Sequence, residues 1–410
     1  MGDKIAIDFG TAGASYSITA NTVTLNTNSE GTTVVTDNGG ILQFWAGSNT
    51  VYNRNQQVMD NGAGLTGTNT STQNVVAFAA PGVAGKYFVV TTTGAANATT
   101  PTLGSLYYSV VDMTANSGLG AVTSTKNVLV PGSAGLSSEV LTAVPTSDGL
   151  GHWVITTQYN SSNLVAIKFD ANGPVGASVI TTLSRPIGNY YGTAYFNPRF
   201  DRFVVLSSDR VATNGSYAFL MEFNATTGAA TELAAWQVPV AGAADPNVGP
   251  AGNTRAAYAA DFSPSGDYVY VSQIYPGRLW RYDVRVENSA DIEASEEFVG
   301  ATGGGGGHIR RGPDGAMWVA NLGNTSLTRI PNPDAATVAA TGFAMGNIAL
   351  PAGVTSYWGL PQTVAGCAAV MSTGGGGSTA AAVPTLNEWA LGLLALAMLG
   401  MAGLRARRRV

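Results

Sequence analysis

Residues 262–273 read Phe-Ser-Pro-Ser-Gly-Asp-Tyr-Val-Tyr-Val-Ser-Gln, a turn sequence followed at once by a strand sequence. Pro264 fixes φ for a turn and does not fit a central strand, and Gly-Asp tolerates the positive φ of tight turns. The aromatic and β-branched run that follows favours an extended strand. The same phrase, a proline turn before an apolar strand, returns at Pro81, Pro145, Pro198 and Pro313.

A second, partly alternating strand follows these strands, as in Arg278 to Val284, and turn residues close it, as in 170–173. A repeated unit of strand, hairpin, strand and turn is typical of a β-propeller blade. No long amphipathic helical period precedes residue 380. The sequence therefore predicts an all-β fold, a β-propeller, with a two-sheet sandwich array as the alternative architecture.

Seven blades are favoured, and six are compatible with the same repeats. The seventh would combine residues 343–364 with the N-terminal strands 5–9 and 16–25, because a ring closes only if both chain ends share a sheet. The other six blades are predicted near residues 30–60, 72–115, 138–170, 190–235, 256–286 and 305–332.

The composition excludes several classes of protein. Of the 410 residues, 45% are hydrophobic, only 11% are charged, and 52 are glycine, which is typical of an exported β-rich protein. A net charge of −5 excludes a nucleic-acid binder, because phosphate neutralisation needs clustered Lys and Arg. The single cysteine, Cys367, excludes an internal disulfide and a Cys-rich zinc site, and only His152 and His308 supply imidazoles. We expect no cofactor.

Three segments are predicted: a propeller body over 1–370, a Gly/Ser/Ala-rich linker over 371–382, and a tail over 383–410. The tail's uncharged run from Ala390 to Leu404 gives about 23 Å of helix, short of a bilayer core of about 30 Å. A tryptophan before it and arginines after it extend the effective span, so we predict one transmembrane helix with the body outside, rather than a buried core helix. The anchor and stop residues are Leu391, Leu393, Leu394, Leu396, Leu399, Leu404, Arg405, Arg407, Arg408 and Arg409.

The N-terminal residues 1–28 include Asp3, Lys4 and Asp8 and no apolar run that could act as a secretory signal. A body of this size does not cross a membrane on its C-terminal helix alone. We therefore expect that the true start lies upstream and that the signal peptide is missing from this chain.

A short motif precedes the apolar run. Its residues are Val383, Pro384, Thr385, Leu386, Glu388 and Trp389. With the helix and the terminal arginines, this motif resembles the IPTL-CTERM sorting signal of Gram-negative bacteria. The resemblance implies an exosortase-type membrane transpeptidase as partner and a destination at the cell surface. Two departures are Val383 in place of Ile and Ala390 in place of Gly. The alternative is that Pro384 only begins the helix and Trp389 only anchors it, with no enzyme involved.

The body carries a second resemblance, through Asp37 to Phe44, Val51 to Met59, Tyr107 to Met113, His152 to Thr156 and Trp358 to Gln362. These stretches resemble the β-propeller region of gliding-motility-associated surface proteins of bacteria. The resemblance implies an extracellular propeller without an established catalytic chemistry. It assigns no functional residues.

Three groups of residues are candidate sites. Gly303 to Gly307 lacks the Lys-Ser/Thr of a phosphate loop, so we interpret it as a flexible loop or blade edge that lets the backbone pass close to the propeller axis. His308 precedes a phrase, Gly312 to Trp318, also seen in streptogramin-lyase-like and lactonase-like propellers, where axial residues perform chemistry. An acidic cluster lacks the pattern of a calcium loop and is interpreted as a solvated inter-blade loop. Its members are Glu287, Asp291, Glu293, Glu296 and Glu297.

The tryptophans are expected to pack between blades, with a carbohydrate-stacking platform as the second interpretation. They are Trp45, Trp153, Trp236, Trp280, Trp318 and Trp358. Overall we expect no enzyme but a binding or adhesion module for a surface polysaccharide or protein, because loops on a rigid ring suffice for recognition. The alternative is a lactonase-like or lyase-like enzyme at the ring axis. Converging titratable groups at the axis would favour that alternative.

Overall fold

The computed structural model describes residues 5–9, 16–20, 30–37, 40–94, 104–159, 161–187, 192–208, 216–238, 256–274 and 277–364. These residues form twenty-eight β-strands, one short helix α1 (Ser289–Ala294) and 3-10 turns at Asn116–Gly118 and Val338–Thr341. The predicted linker, sorting motif and apolar tail lie outside the described residues. Within the described part, no helix has the length and apolar character to cross a bilayer.

The strands are numbered in the order of the chain. They are β1 (Ile5–Asp8), β2 (Ser17–Ala20), β3 (Thr32–Thr36), β4 (Leu42–Ala46), β5 (Thr50–Asn53), β6 (Val58–Ala63), β7 (Val75–Ala79), β8 (Lys86–Thr92), β9 (Leu106–Asp112), β10 (Ala121–Val122), β11 (Val128–Leu129), β12 (Ser137–Pro145), β13 (His152–Gln158), β14 (Asn163–Asp170), β15 (Gly173–Thr182), β16 (Ala194–Phe196), β17 (Arg202–Ser207), β18 (Ser216–Phe223), β19 (Ala230–Val238), β20 (Ala257–Phe262), β21 (Tyr268–Gln273), β22 (Arg278–Asp283), β23 (Glu297–Ala301), β24 (Gly305–Arg311), β25 (Met317–Leu322), β26 (Ser326–Ile330), β27 (Ile348–Ala349) and β28 (Pro361–Gln362).

Six antiparallel blades account for most of these strands. Blade 1 is β3–β6 and blade 2 is β7–β10 with β11, and these two blades share one ten-stranded sheet because β6 pairs in parallel with β10. Blade 3 is β12–β15, blade 4 is β16–β19, blade 5 is β20–β23 and blade 6 is β24–β27. The first strands of blades 2 to 6 contact each other in sequence, and β3 contacts β7. The first strand of each blade therefore lies at the centre of a ring, and the fold is the expected all-β propeller.

Alternate residues of a strand point to opposite faces, so each blade contributes to two inter-blade cores. In β17, Phe203 and Val205 pack with blade 3, whereas Val204 and Leu206 pack with blade 5. All four side chains are fully buried. The hydrophobic core of this protein is therefore a series of layers between blades, which is what the apolar strands after each proline turn require.

The seventh position of the ring differs from a complete blade. Strands β1 and β2 form a separate two-stranded sheet, and their side chains pack against Trp318, on the face of blade 6 that points away from blade 5. Strand β27 joins blade 6, and β28 pairs in parallel with β3 of blade 1. The strands expected to form a seventh sheet are therefore divided among three sheets: the β1–β2 sheet, blade 6 and blade 1. Each of these strands forms only a short pairing of two to four residues. Among the described residues there are six complete blades and one hairpin.

The ring closes through the segment 358–362. The backbone N–H of His308, in blade 6, donates to the carbonyl of Trp358 over 2.7 Å. Four residues later, Gln362 pairs with Thr33 of blade 1, whose hydroxyl donates to its carbonyl over 3.3 Å. This closing segment therefore joins the last blade to the first, which removes a free edge from the centre of the ring.

Candidate functional site at the propeller axis

Polar side chains on the first strands meet at the centre of the ring. We call one group the carboxylate cluster: Glu30, Thr72, Glu139, Tyr258 and His308. Its members come from the beginnings of first strands or from the segments just before them, with His308 further along β24. Glu139 interrupts the apolar strand β12 and is buried. A charge inside an inner strand is the sequence signal that would have pointed to this site.

Hydrogen bonds hold both carboxylates. Oε2 of Glu139 accepts from the backbone N–H of Thr72 over 2.9 Å and from its hydroxyl over 2.7 Å. The Tyr258 hydroxyl donates to Oε2 of Glu30 over 2.9 Å. Burial, and secondarily the charge of Glu139, raise the pKa of Glu30 well above its ordinary value, and the bond from Tyr258 opposes this. The axis therefore favours a protonated Glu30 beside Glu139.

His308 lies within this cluster and is fully buried. Its Nδ1 lies 3.2 Å from both the amide nitrogen and the carbonyl oxygen of Leu360, so it accepts from the one or donates to the other according to the tautomer. Its Nε2 has no partner among the described residues, and its ring centroid is 5.5 Å from that of Tyr258. Burial lowers the pKa of His308 to about 3, with the backbone of Leu360 opposing the shift. The imidazole is therefore neutral at physiological pH, and the Leu360 backbone holds Nδ1 in either tautomer.

Gln73 fills the centre between blades. Its Oε1 accepts from the Ala194 N–H over 2.7 Å, and its Nε2 donates to the Ala194 carbonyl over 3.1 Å and to Oε1 of Gln362 over 3.3 Å. The Gln362 amide in turn donates to the Val75 carbonyl over 3.1 Å. One amide thus links blade 2, blade 4 and the closing segment, and the axis here is a packed, hydrogen-bonded interior.

A second group lies at the ends of first strands, and we call it the arginine cluster: Asp261, Arg310 and Arg311, with Tyr195 and Phe196. Asp261 is fully buried and has Arg310 Nη1 at 3.5 Å and Arg311 Nε at 3.4 Å. The Arg310 guanidinium carbon lies 3.5 Å from the centroid of the Tyr195 ring, and Nη2 of Arg311 donates to the Phe196 carbonyl. Two arginines share one carboxylate in this cluster.

The glycine run has the expected role of close backbone approach. A Cβ on Gly306 would lie 2.5 Å from the Gln273 carbonyl oxygen, and one on Gly307 would lie 2.5 Å from the Trp358 carbonyl oxygen. Gly305 to Gly307 belong to β24, so this part of the run lies in an inner strand rather than in the expected flexible loop, and Gly303 and Gly304 precede the strand. Only glycine allows β24 to approach blade 5 and the closing segment this closely.

Most of the tryptophans pack between blades, in agreement with the first interpretation, whereas Trp45 stacks on Tyr52 within blade 1. Five of them are at most 8% exposed, and Trp358 is partly buried. The Trp153 indole, for example, donates to the Ala225 carbonyl of the neighbouring blade over 2.9 Å. These rings therefore do not form an exposed platform for sugars.

The acidic cluster is only in part the expected solvated inter-blade loop: Glu287 and Asp291 are exposed, but the segment connects β22 and β23 of one blade and contains α1, capped by Asn288. Glu287 pairs with Arg202 and Glu293 accepts from the Gln237 N–H over 3.0 Å, and both contacts join blade 5 to blade 4. Glu297 pairs with Arg281 within blade 5. Within the described ranges, no group of His, Cys, Asp and Glu side chains is arranged to hold a metal ion.

Comparison with known proteins identifies the tail. Residues 381–409 match the IPTL-CTERM motif, which contains all six predicted sorting residues. No curated protein shows significant sequence similarity to the chain. Cys367 lies outside both this match and the described residues.

Several solved structures resemble the body at low identity. Hydrazine synthase from Kuenenia stuttgartiensis is 15% identical over 78% of this chain and 90% of its own, with a TM-score of 0.45. A putative 6-phosphogluconolactonase from Bacteroides uniformis is 12% identical over 80% and 92%, with a TM-score of 0.46. The Swd1 β-propeller domain of Myceliophteria thermophila is 14% identical over 71% and 93%, with a TM-score of 0.33. The strand order of this chain alone assigns its fold: it is an all-β propeller whose last residues match the IPTL-CTERM sorting motif.

Proposed function

We propose that this chain is a cell-surface protein of a Gram-negative bacterium, sorted by an exosortase-type transpeptidase, whose propeller is a non-catalytic binding or adhesion module. The observation that carries the proposal is the motif match at residues 381–409, which follow the propeller in the sequence. The resemblance of the body to gliding-motility-associated surface proteins belongs to the same proposal. Its ligand is a surface polysaccharide or protein.

The state of the axial groups supports binding rather than catalysis. A general base needs a lone pair within reach of substrate and a pKa near the operating pH. His308 is fully buried, its Nδ1 is held by the backbone of Leu360, and its pKa is about 3. Glu139 accepts two hydrogen bonds from Thr72. These groups are bonded within the protein interior and are not presented to a substrate. We therefore assign ligand recognition to the loops on the outside of the ring.

Intact-mass analysis and protease treatment of whole cells test the sorting step. Each protein is expressed with a secretory signal peptide fused before residue 1, in a Gram-negative host with an exosortase, and we expect the wild type to lose the mass of its tail and to reach the surface. Pro384→Ala combined with Trp389→Ala should keep the tail and remain in the membrane fraction. Asn387→Ala is the matched control, since the motif leaves that position variable, and it should be processed normally. A full-length wild type in the cytosol would refute the proposal.

One observation favours the alternative of an enzyme at the ring axis: Glu30, Glu139, Tyr258 and His308 converge there. A lactonase and lyase screen, run beside a glycan and matrix binding array, separates the two functions. A hydrolysis or elimination activity that falls at least about 100-fold in His308→Ala or Glu139→Gln would favour the enzyme. Binding that is retained in both variants, without such activity, supports the binding module.

A further inference from the structure

The arginine cluster contains more buried donors than the protein satisfies. Nε and Nη1 of Arg310 and the same two atoms of Arg311 have no hydrogen-bond acceptor among the residues that the structure describes. Arg310 is 9% exposed, and the side chain of Arg311 is 5% exposed. Buried polar groups in proteins nearly always have partners, so four unsatisfied guanidinium nitrogens in one place need an explanation.

Asp261 does not supply that partner. Its oxygens accept from the backbone N–H of Phe262 over 2.8 Å and of Arg311 over 3.2 Å. Both guanidiniums lie at ion-pair distance from it but form no hydrogen bond with it. One carboxylate against two guanidiniums also leaves one positive charge in excess, and a buried charge without a counter-charge is strongly unfavourable.

No other carboxylate of the described residues lies within the cluster to balance this charge. Asp334 also acts electrostatically on Arg311, but it is exposed and accepts from the N–H of Ser265 over 3.0 Å and from its hydroxyl over 2.6 Å. Water screens a charge at such a position. Burial lowers the pKa of Arg311, and the neighbouring Arg310 lowers it further. A bound water would satisfy an N–H group but would neutralise no charge.

We propose that the arginine cluster binds a small oxyanion, a carboxylate, sulfate or phosphate group, between Arg310 and Arg311. Planar guanidinium N–H groups match the oxygens of these anions, and such charge-assisted hydrogen bonds are the strong ones. The anion supplies both the missing acceptors and the missing negative charge. This inference is independent of the proposed adhesion, since it concerns the inner strands β20 and β24.

Isothermal titration of the full chain in mild detergent tests the site, at constant ionic strength set with sodium chloride. Separate arms use sodium sulfate, sodium phosphate and sodium glucuronate, so a free inorganic anion is distinguished from the carboxylate of an acidic sugar. We expect saturable binding in at least one arm and at least tenfold weaker binding in Arg311→Gln. Arg329→Gln is the matched control in the same blade, because Arg329 is paired one to one with Asp314 at 2.7 Å. It should bind within twofold of the wild type.

Asp261→Asn is a second variant that tests the site even if Arg311→Gln does not fold. It removes the competing carboxylate and raises the excess charge, so the anion should bind at least about threefold more tightly, a gain that loss of structure does not produce. Circular dichroism confirms that each variant is folded. The absence of saturable binding by the wild type in all three arms would overturn the proposal, as would equal affinities in the wild type and Arg311→Gln.

Discussion

The carboxylate cluster and the arginine cluster share the inner strands β20 and β24 and differ in how far the protein satisfies their polar atoms. In the carboxylate cluster, Thr72, Tyr258 and the backbone of Leu360 supply partners for two carboxylates and one imidazole. One atom there, Nε2 of His308, is left without a partner among the described residues. In the arginine cluster, four guanidinium nitrogens of Arg310 and Arg311 are left unsatisfied around one carboxylate. A buried polar network with most of its members paired holds a fold together, whereas one with many unpaired members depends strongly on each remaining partner.

Asp261→Ala gives the largest expected difference between the clusters. It leaves both guanidiniums buried without any carboxylate, so the free energy of unfolding in urea should fall by about 3–5 kcal/mol. Asp283→Ala is the control, since its partner Arg285 is mostly exposed and the loss there should be about 1 kcal/mol or less. Equal losses in the two variants would show that the arginine cluster is not sensitive to its only carboxylate.

Gln73→Leu removes the amide that links blade 2 to blade 4 beside both clusters. The Ala194 N–H and carbonyl lose their partner in the interior, so we expect a loss of about 2–3 kcal/mol in the same urea experiment. Gln43→Leu removes an amide that bonds Asp37 and the Ile41 carbonyl near the surface, and it should cost about 1 kcal/mol or less. A loss for Gln73→Leu no greater than this control would contradict the central role of the amide.

His308→Asn tests the neutral imidazole through the pH dependence of stability. The folded pKa of about 3 lies below the ordinary 6.5, so the unfolded chain takes up the proton first as pH falls. Between pH 6.5 and 3 this group should destabilise the wild type by about 1.4 kcal/mol per pH unit of acidification. Asparagine offers an acceptor to Leu360 without titrating, and the slope should be absent. Parallel pH profiles of the two proteins would refute this.

Glu30→Gln tests a pH dependence of stability that has the opposite sign to that of His308. We expect the smallest effect on stability from this variant. A raised folded pKa means that the folded state keeps the proton longer, so stability declines as pH rises from the ordinary 4.5 to the folded pKa. The variant should be the more stable protein above pH 4.5, by an amount that grows with pH. Between pH 4.5 and 6.5 the slopes from Glu30 and His308 have opposite signs and partly cancel in the wild type. A variant less stable than the wild type at pH 7 would contradict the protonated Glu30.

The fold was readable from local chemistry, because the proline turn at Pro264 and the run from Tyr268 impose a turn and a strand wherever they recur. The incomplete seventh blade was harder to predict from the sequence. The pairing of β28 with β3 depends on which strand edge is left unpaired at the centre of the ring, and that is a property of the assembled fold. The clusters depend on register between blades: Glu139 meets Thr72 across 67 residues of sequence. Only the position of His308 beside a close backbone approach was accessible from the sequence.

The closing segment also sets the order of events in biosynthesis. Among the described residues, the inner edge of β3 obtains its partner only from Pro361 and Gln362, which lie near the end of that part of the chain. A chain that emerges from a ribosome or a translocon in the order of its sequence therefore exposes an open ring until almost the whole body has appeared. Nascent chains released before residue 358 should be digested rapidly by protease, and chains extended past residue 364 should resist it.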